Sequence, residues 1–142
     1  MESKAVVHYF EGWGLGEFVR MILWWVKVPY ENKFTPKFGS EEWKVARENF
    51  EFKSVPVLEI DGKSLSQSSS TMRYIARKYG MAPEDPYQEY LVDSGCELLR
   101  DIFIAAQTQM ASPKPEERAE GAKKFCEEAL DTKIGFVENR LK

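Results

Sequence analysis

The residues best placed for ligand chemistry lie between Lys53 and Gly80. Val57 to Ile60 is rich in strand-forming residues, and Asp61-Gly62 is a strong signal for a two-residue hairpin turn. After the hairpin, apolar residues at helical spacing predict a helix that begins at Ser68. The first free amides of that helix, with the hydroxyl of Ser68, can hold a carboxylate.

The two residues before this hairpin, Val55 and Pro56, offer a second possible contact with a ligand, through the backbone of Val55. Pro56 cannot donate to a strand ladder, so it is expected where its strand starts. The backbone of Val55, exposed just before it, can pair with a peptide-like ligand as an added strand. The residues alone leave an equal alternative, in which the hairpin and the capped helix bind no ligand.

Composition excludes several classes of function. The chain has 142 residues and a net charge of −3 without a basic cluster, which argues against nucleic acid as a partner. The most apolar run, Met21 to Val26, is too short to span a bilayer, so no membrane association is expected. Cys96 and Cys126 lie far apart and His8 is the single histidine, so we expect a cytoplasmic protein with free thiols and no metal.

The order of the predicted elements gives the fold of the first part. Ala5 to Phe10 reads as a buried central strand, and a helix follows through about Lys27. That helix is apolar on almost every face, so we expect it to be covered on more than one side. Tyr30 to Phe34 is predicted as a parallel second strand, and Ser40 as the cap of a short helix. With the hairpin and its helix, the order βαβαββα is typical of a thioredoxin-like α/β domain.

The second part of the chain is predicted to be helical throughout. Residues 81–87 carry two prolines and read as a linker, and no strand signal appears from about Asp85 to Ala111. The apolar residues of this stretch fit an amphipathic helix; they are Tyr90, Leu91, Leu98, Leu99, Ile102 and Phe103. Pro115 suits the first turn of a last helix. These patterns divide the chain into a domain of residues 1–80 and a helical domain of residues 81–142.

In these motifs the chain resembles the glutathione transferase family. Val55-Pro56 matches the family's cis-proline, and Gln67-Ser68 matches its anchor for the γ-glutamyl group. The resemblance covers the whole first domain and the opening of the second. It implies glutathione as a substrate, bound by a thioredoxin-like domain that is followed by an all-α domain, here incomplete.

The stretch Tyr9-Phe10-x-Gly12-x-Gly14 resembles the sigma and alpha classes, whose tyrosine hydroxyl donates to the glutathione thiol. Lowering a thiol pKa by about 2 units from about 8.5 needs about 2.7 kcal/mol, which one hydrogen bond to an anion beside a helix N-terminus can approach. The resemblance therefore implies that Tyr9 is catalytic. From the residues alone, a tyrosine at the rim of the sheet is the better reading. Leu15 replaces an arginine that many members carry.

The resemblance implies further contacts with glutathione. Trp43 and Arg47 match a tryptophan and a basic residue that bind the glycine carboxylate, with Lys44 as the alternative cation and ordinary packing as the alternative for Trp43. Glu97 matches an acidic residue that reaches the glutathione of the neighbouring subunit.

The resemblance also implies a homodimer. Phe52 matches an aromatic residue that several classes insert into a pocket of the partner subunit. Alternatively, Phe50 and Phe52 close the base of their own domain.

The sequence thus predicts a detoxifying glutathione transferase that conjugates the glutathione thiol to a hydrophobic electrophile; isomerase or peroxidase variants of this chemistry remain open. The alternative is a non-catalytic relative, structural or interacting, like the lens S-crystallins. Leu15 and the short second domain favour this alternative, and the intact Tyr9, Pro56, Gln67 and Ser68 favour the enzyme.

Overall fold

The computed structural model describes residues 4–109, 111–112 and 114–142, apart from the side chains at positions 128, 129 and 141. The chain forms two units, of which the first ends at Ala82 and the second begins at Pro83. The candidate site residues of the first unit are positioned by its sheet and three helices, described next.

The first unit is built on a sheet of four strands. These are β1 (Ala5–Tyr9), β2 (Tyr30–Phe34), β3 (Val57–Ile60) and β4 (Lys63–Ser66), in the spatial order β2-β1-β3-β4. β1 is parallel to β2 and antiparallel to β3, and β4 is antiparallel to β3. Asp61 and Gly62 join the last two strands with φ values of 50° and 71°, as a two-residue hairpin turn with both residues at positive φ requires. The mixed thioredoxin-like sheet predicted from the sequence is confirmed.

Three helices connect the strands of this unit. They are α1 (Leu15–Trp25), α2 (Glu41–Ala46) and α3 (Ser68–Lys78), and α2 runs on into a 3₁₀ turn at Arg47–Asn49. The hydroxyl of Ser40 accepts a hydrogen bond from the Trp43 backbone N–H over 3.1 Å, which confirms the predicted cap of α2. Tyr79 follows α3, and Gly80 takes a positive φ of 70°, which suits a residue that ends a helix.

The two faces of the sheet are packed differently. The main core is formed by β1, β3, α1 and α3, and its buried residues are Ala5, Val7, Val19, Leu23, Leu58, Ile60 and Ile75. Because successive side chains of a strand point to opposite faces, His8 faces away from this core. Its ring packs edge-on against Phe50, with ring centroids 5.5 Å apart, on the side of the sheet that carries α2.

Within the first unit, α1 buries one face, and the expectation that it is covered on more than one side stays a prediction. The buried residues of α1 are Gly16, Val19, Arg20 and Leu23, which form a single face. Trp24 and Trp25 on the remaining surface are 72% and 66% exposed. The helix also ends at Trp25 rather than at Lys27, because Lys27 has a φ of 58° that no right-handed helix accommodates. Likewise, β1 ends at Tyr9 and does not include Phe10.

The second unit contains α4 (Pro86–Gln109), α5 (Pro115–Phe125) and α6 (Asp131–Leu141), with a π-helical stretch at Cys126–Leu130 between the last two. α4 begins inside the stretch expected to be a linker. Pro86 takes its first position, and the Asp85 carboxylate accepts a hydrogen bond from the Gln88 N–H over 2.9 Å. No helix within the described residues is both long and apolar enough to cross a membrane.

Candidate functional site

Several of the predicted site residues of the first unit lie at the same end of the sheet. β1 ends there at Tyr9, and the antiparallel β3 starts there at Val57, directly after Pro56. Ser66, the last residue of β4, pairs with Val57, so Gln67 follows at the same end. Two segments that are distant in sequence therefore meet at this end of the sheet.

Tyr9 is held against the start of α1. Its side chain points to the core face, the residue is only 7% exposed, and its hydroxyl oxygen accepts a hydrogen bond from the Leu15 N–H over 3.1 Å. A hydroxyl has one hydrogen to donate, so Tyr9 can still donate to a further acceptor. A Cβ placed on Gly16 would overlap Cγ of the Tyr9 ring, so α1 approaches the ring this closely because residue 16 is glycine.

Arg20 is a residue of this site that the sequence analysis missed. Its guanidinium is buried, with Cζ 5.8 Å from the centroid of the Tyr9 ring. Nη2 donates to the carbonyl oxygen of Gly12 over 2.6 Å, and Nε donates to the Glu17 carboxylate over 2.8 Å. The signal available in the sequence was Glu17 three residues before an arginine, on a helix that is otherwise almost entirely apolar.

The predicted carboxylate-binding residues lie at the N-terminus of α3. Ser68 is its first residue and is buried, and its hydroxyl finds no hydrogen-bond partner among the described residues. Gln67 precedes it with a φ of 69° and does not cap the helix with its side chain. Holding a non-glycine residue in this conformation costs on the order of 1–3 kcal/mol, and such strain is concentrated at binding sites. The first amides of α3 therefore receive no cap from the Gln67 side chain.

The Val55-Pro56 peptide bond is cis, as the resemblance implies. Pro56 is buried and Val55 is half-buried at the start of β3. The structure therefore places the Val55 backbone at the same end of the sheet as Tyr9 and Gln67.

The short helix α2 holds Trp43 and leads to Arg47. Trp43 is only 3% exposed, and its ring packs between Phe10 and Phe50, with centroids 4.9 and 6.4 Å away. These ring contacts are ordinary side-chain packing, which is the alternative given for Trp43 in the sequence analysis. Arg47 is half-buried, and within the described residues its side chain forms no ion pair. Lys44 is exposed and paired with Glu41 over 2.6 Å, so Arg47 is the more available cation.

The start of α2 also perturbs one carboxyl group. The pKa of Glu42 lies below its ordinary value, because its own backbone amide and, to a lesser degree, the Ser40 hydroxyl donate to the carboxylate.

The remaining predicted contacts concern a second subunit. Glu97 is half-buried on α4 in the second unit, where a carboxylate oxygen lies 3.8 Å from Nη1 of Arg100. Phe52 is 54% exposed, whereas Phe50 is half-buried against His8 and Trp43. Phe50 thus packs within its own unit, and the Phe52 ring remains accessible.

No group of three or more His, Cys, Asp or Glu side chains that could hold a metal ion occurs in the described parts of the chain. Cys96 and Cys126 are free thiols.

The sheet order, the helices on its two faces and the site at the end of β1 define a thioredoxin-like protein with a helical extension. Residues 5–77 match the family model described as "Glutathione S-transferase, N-terminal domain". Because this match covers half of the chain, the protein belongs to the glutathione S-transferase family.

Individual relatives agree with this assignment. The chain is 37% identical to glutathione S-transferase 2 of Caenorhabditis elegans over 103 residues, which cover 70% of this chain and 53% of that protein. It is 33% identical to glutathione S-transferase 2 of Manduca sexta over 140 residues, which cover 97% of this chain and 64% of that protein. The solved glutathione S-transferase of Ascaris lumbricoides superposes with a TM-score of 0.74 at 26% identity, over 96% of this chain and 66% of that one. The chain thus spans about half to two thirds of its relatives' length.

Proposed function

We propose that this chain binds glutathione and stabilises its thiolate with the Tyr9 hydroxyl, so that the sulfur can attack a hydrophobic electrophile. The observation that carries the proposal is the hydrogen bond from the Leu15 N–H to the Tyr9 oxygen. This bond occupies a lone pair, leaves the hydroxyl hydrogen to donate to sulfur, and makes the hydroxyl a stronger donor. The chemistry is that of the tyrosine-using sigma and alpha classes.

The glutathione backbone would lie along the same end of the sheet. We assign its γ-glutamyl carboxylate to the Ser68 hydroxyl and the first amides of α3, with Gln67 beside them. The Val55 backbone before Pro56 would pair with the cysteinyl peptide units as an added strand. This arrangement would leave the thiol at the Tyr9 end of the site.

The glycine carboxylate is assigned to Arg47, which forms no ion pair with a described residue. Trp43 is buried between two other rings, so its contribution would come through the position of α2. In a homodimer, Glu97 of the partner subunit would reach the amine of the same glutathione. We place this activity in the cytoplasm, as a detoxifying conjugation by the domain of residues 1–80 with support from residues 81–142.

Calorimetric titration with glutathione tests the binding step. Wild type should bind, and Ser68→Ala should weaken binding by roughly 1.5–3 kcal/mol, the usual range for a hydrogen bond to a charged group. Ser64→Ala is the matched control, since Ser64 is an exposed serine of β4 and should bind glutathione as wild type does. Absence of heat at millimolar glutathione, with folded protein, would contradict the proposal.

A second candidate function is a non-catalytic relative that keeps the fold. The observation that favours it is the apolar Leu15 side chain at the start of α1, where an arginine would add positive charge near the thiolate. A conjugation assay with an activated aryl halide separates the two functions. Glutathione binding without conjugation would support the second candidate.

A further inference from the structure

Arg20, on α1, forms a hydrogen bond to the glycine-rich loop next to the Tyr9 ring. This loop joins β1 to α1, and its Gly12 and Gly14 have φ values of 145° and 131°, which glycine adopts far more readily than other residues. Such a loop has many accessible conformations unless something fixes it. The bond from Arg20 Nη2 to the Gly12 carbonyl, at 2.6 Å, links the loop to the helix directly.

The same guanidinium is held in turn by Glu17. Nε and Nη2 of Arg20 both lie 2.8 Å from the same carboxylate oxygen of Glu17, and the Arg20 side chain is 10% exposed. A planar guanidinium can bridge two acceptors in a fixed geometry, which an ammonium group cannot reproduce. Cζ of this group lies 5.8 Å from the centroid of the Tyr9 ring, so the bridge and the ring are packed together.

The positive charge of Arg20 contributes little to the electrostatics of the site. Glu17 carries the opposite charge at contact distance, so the pair has no net charge toward the rest of the site. The remaining contribution of the pair is geometric. Through its bond to the Gly12 carbonyl, Arg20 can fix the path of the loop from Gly12 to Leu15. The Leu15 N–H that donates to the Tyr9 hydroxyl is at the end of that path.

We propose that Arg20 is a positioning residue, which fixes the Gly12 loop so that the Leu15 N–H and the Tyr9 hydroxyl stay in hydrogen-bond contact. Arg20 acts through the Gly12 carbonyl and the Tyr9 ring, without a contact to glutathione. The consequence for catalysis rests on the proposed function of Tyr9, whereas the effect on the loop does not.

Amide hydrogen exchange of Leu15 tests the effect on the loop. Arg20→Gln should lower the protection of this amide by on the order of tenfold or more, because the loop opens locally more often. Arg20→Lys should also lower it, since lysine keeps the charge but cannot bridge Gly12 and Glu17. Lys4→Gln is the control, because it removes only an exposed pair with Glu31 and should leave Leu15 protection unchanged.

Each result decides the proposal. Unchanged Leu15 protection in folded Arg20→Gln would overturn it, as would full protection in Arg20→Lys. If Arg20→Gln does not fold, Arg20→Lys alone decides in the same way. These results do not depend on glutathione, so the proposed function can fail in the calorimetric test while the role of Arg20 stands, or the reverse.

Kinetics test the consequence for catalysis. Arg20→Lys should lower kcat/KM about tenfold to a hundredfold with nearly unchanged glutathione affinity, since small displacements of catalytic groups have effects of this size. In a Tyr9→Phe background the same substitution should have almost no further effect, because the hydroxyl that it positions is gone. An equal fall in both backgrounds would show a purely structural role and overturn the proposal.

Glu17→Gln separates positioning from charge. A charge role predicts that removing the Glu17 carboxylate raises the thiolate fraction of bound glutathione, because the guanidinium is no longer neutralised. A positioning role predicts a lower fraction, because the bridge is weakened. The ultraviolet absorbance of the thiolate across pH measures this fraction, and a rise in Glu17→Gln would overturn the positioning role.

Discussion

The Leu15 N–H donates to the hydroxyl oxygen of Tyr9 over 3.1 Å, which joins the first residue of α1 to the last residue of β1. The tyrosine oxygen thus receives a hydrogen bond from one side while its own hydrogen is left to donate. For a glutathione thiolate at this position, the hydroxyl would be both oriented and polarised.

Tyr9→Phe should lower the conjugation rate and leave glutathione affinity nearly unchanged. The phenyl ring keeps the packing against Gly16, while the donor to the thiolate is lost. Steady-state kinetics with calorimetry on the same preparation measure both quantities. Equal rates for the two proteins across neutral pH would reject a catalytic role for Tyr9.

Leu15→Arg should raise the conjugation rate. The substitution keeps the backbone N–H that donates to Tyr9 and adds a positive charge at the start of α1. A decrease of about 1 unit in the thiol pKa corresponds to about 1.4 kcal/mol, and pH–rate profiles of conjugation will show it. Leu15→Met is the uncharged control and should behave as wild type. A profile that does not move in Leu15→Arg would show that charge at this position does not limit the rate.

Gly16→Ala should destabilise the protein and reduce conjugation together. An added Cβ would overlap the Tyr9 ring, so either the ring or α1 must move, at a cost of about 1–3 kcal/mol. Gly135→Ala in α6 is the control, because its Cβ would meet no atom within 4 Å. It should stabilise the protein by roughly 0.5–1 kcal/mol through helix propensity. Urea midpoints measure both changes, and a Gly16→Ala protein as stable as wild type would contradict this contact.

Phe52→Ser should shift the protein from dimer toward monomer. Burying one such ring in a partner is worth roughly 1.5–3 kcal/mol, and two-fold symmetry makes the contact twice. Phe136→Ser is a control of matched exposure, since the two rings are 54% and 56% exposed, and it should leave the assembly unchanged. Light scattering measures the mass in solution. A wild type that stays monomeric at high micromolar concentration would rule out both this contact and the role of Glu97 of the partner subunit.

The stability difference between wild type and Glu42→Gln should depend on pH. Hydrogen bonds from its own backbone amide and from Ser40 lower the pKa of Glu42 below 4.5, so the carboxylate stabilises the folded state above that value. This contribution is lost as pH falls through the lowered pKa. Urea midpoints should therefore differ at neutral pH and converge in strong acid.

Local signals were enough to predict most of the first unit. The bounds of β2 and β3 agree with those predicted, because a proline precedes each strand and β3 is rich in strand formers. The Ser40 cap was also readable, since it depends on residues three apart. The start of α4 was readable as well: Asp85-Pro86 is a cap followed by a first-position proline, and the linker prediction overlooked it.

Long-range packing explains what the sequence did not reveal. Apolar periodicity indicates that Trp24 and Trp25 can be buried, but whether another element covers them depends on the rest of the fold. Arg20 was missed for the opposite reason: a charged residue suggests a solvent-exposed position, and its contacts with Gly12 and Glu17 exist only in the folded unit. The π-helical stretch Cys126–Leu130 likewise has no signal in the apolar pattern.

The pairing of β1 with both β2 and β3 has a consequence for folding. Tyr9 belongs to the first half of the unit and Ser68 to the second, and the ladder between β1 and β3 brings the halves together. A ligand that contacts both residues recognises the closed sheet and not the unfolded chain. Such a ligand stabilises the native state by mass action, by about 2.7 kcal/mol at a hundred times its Kd. Glutathione bound as proposed would therefore stabilise the folded sheet, in which β1 and β3 are paired.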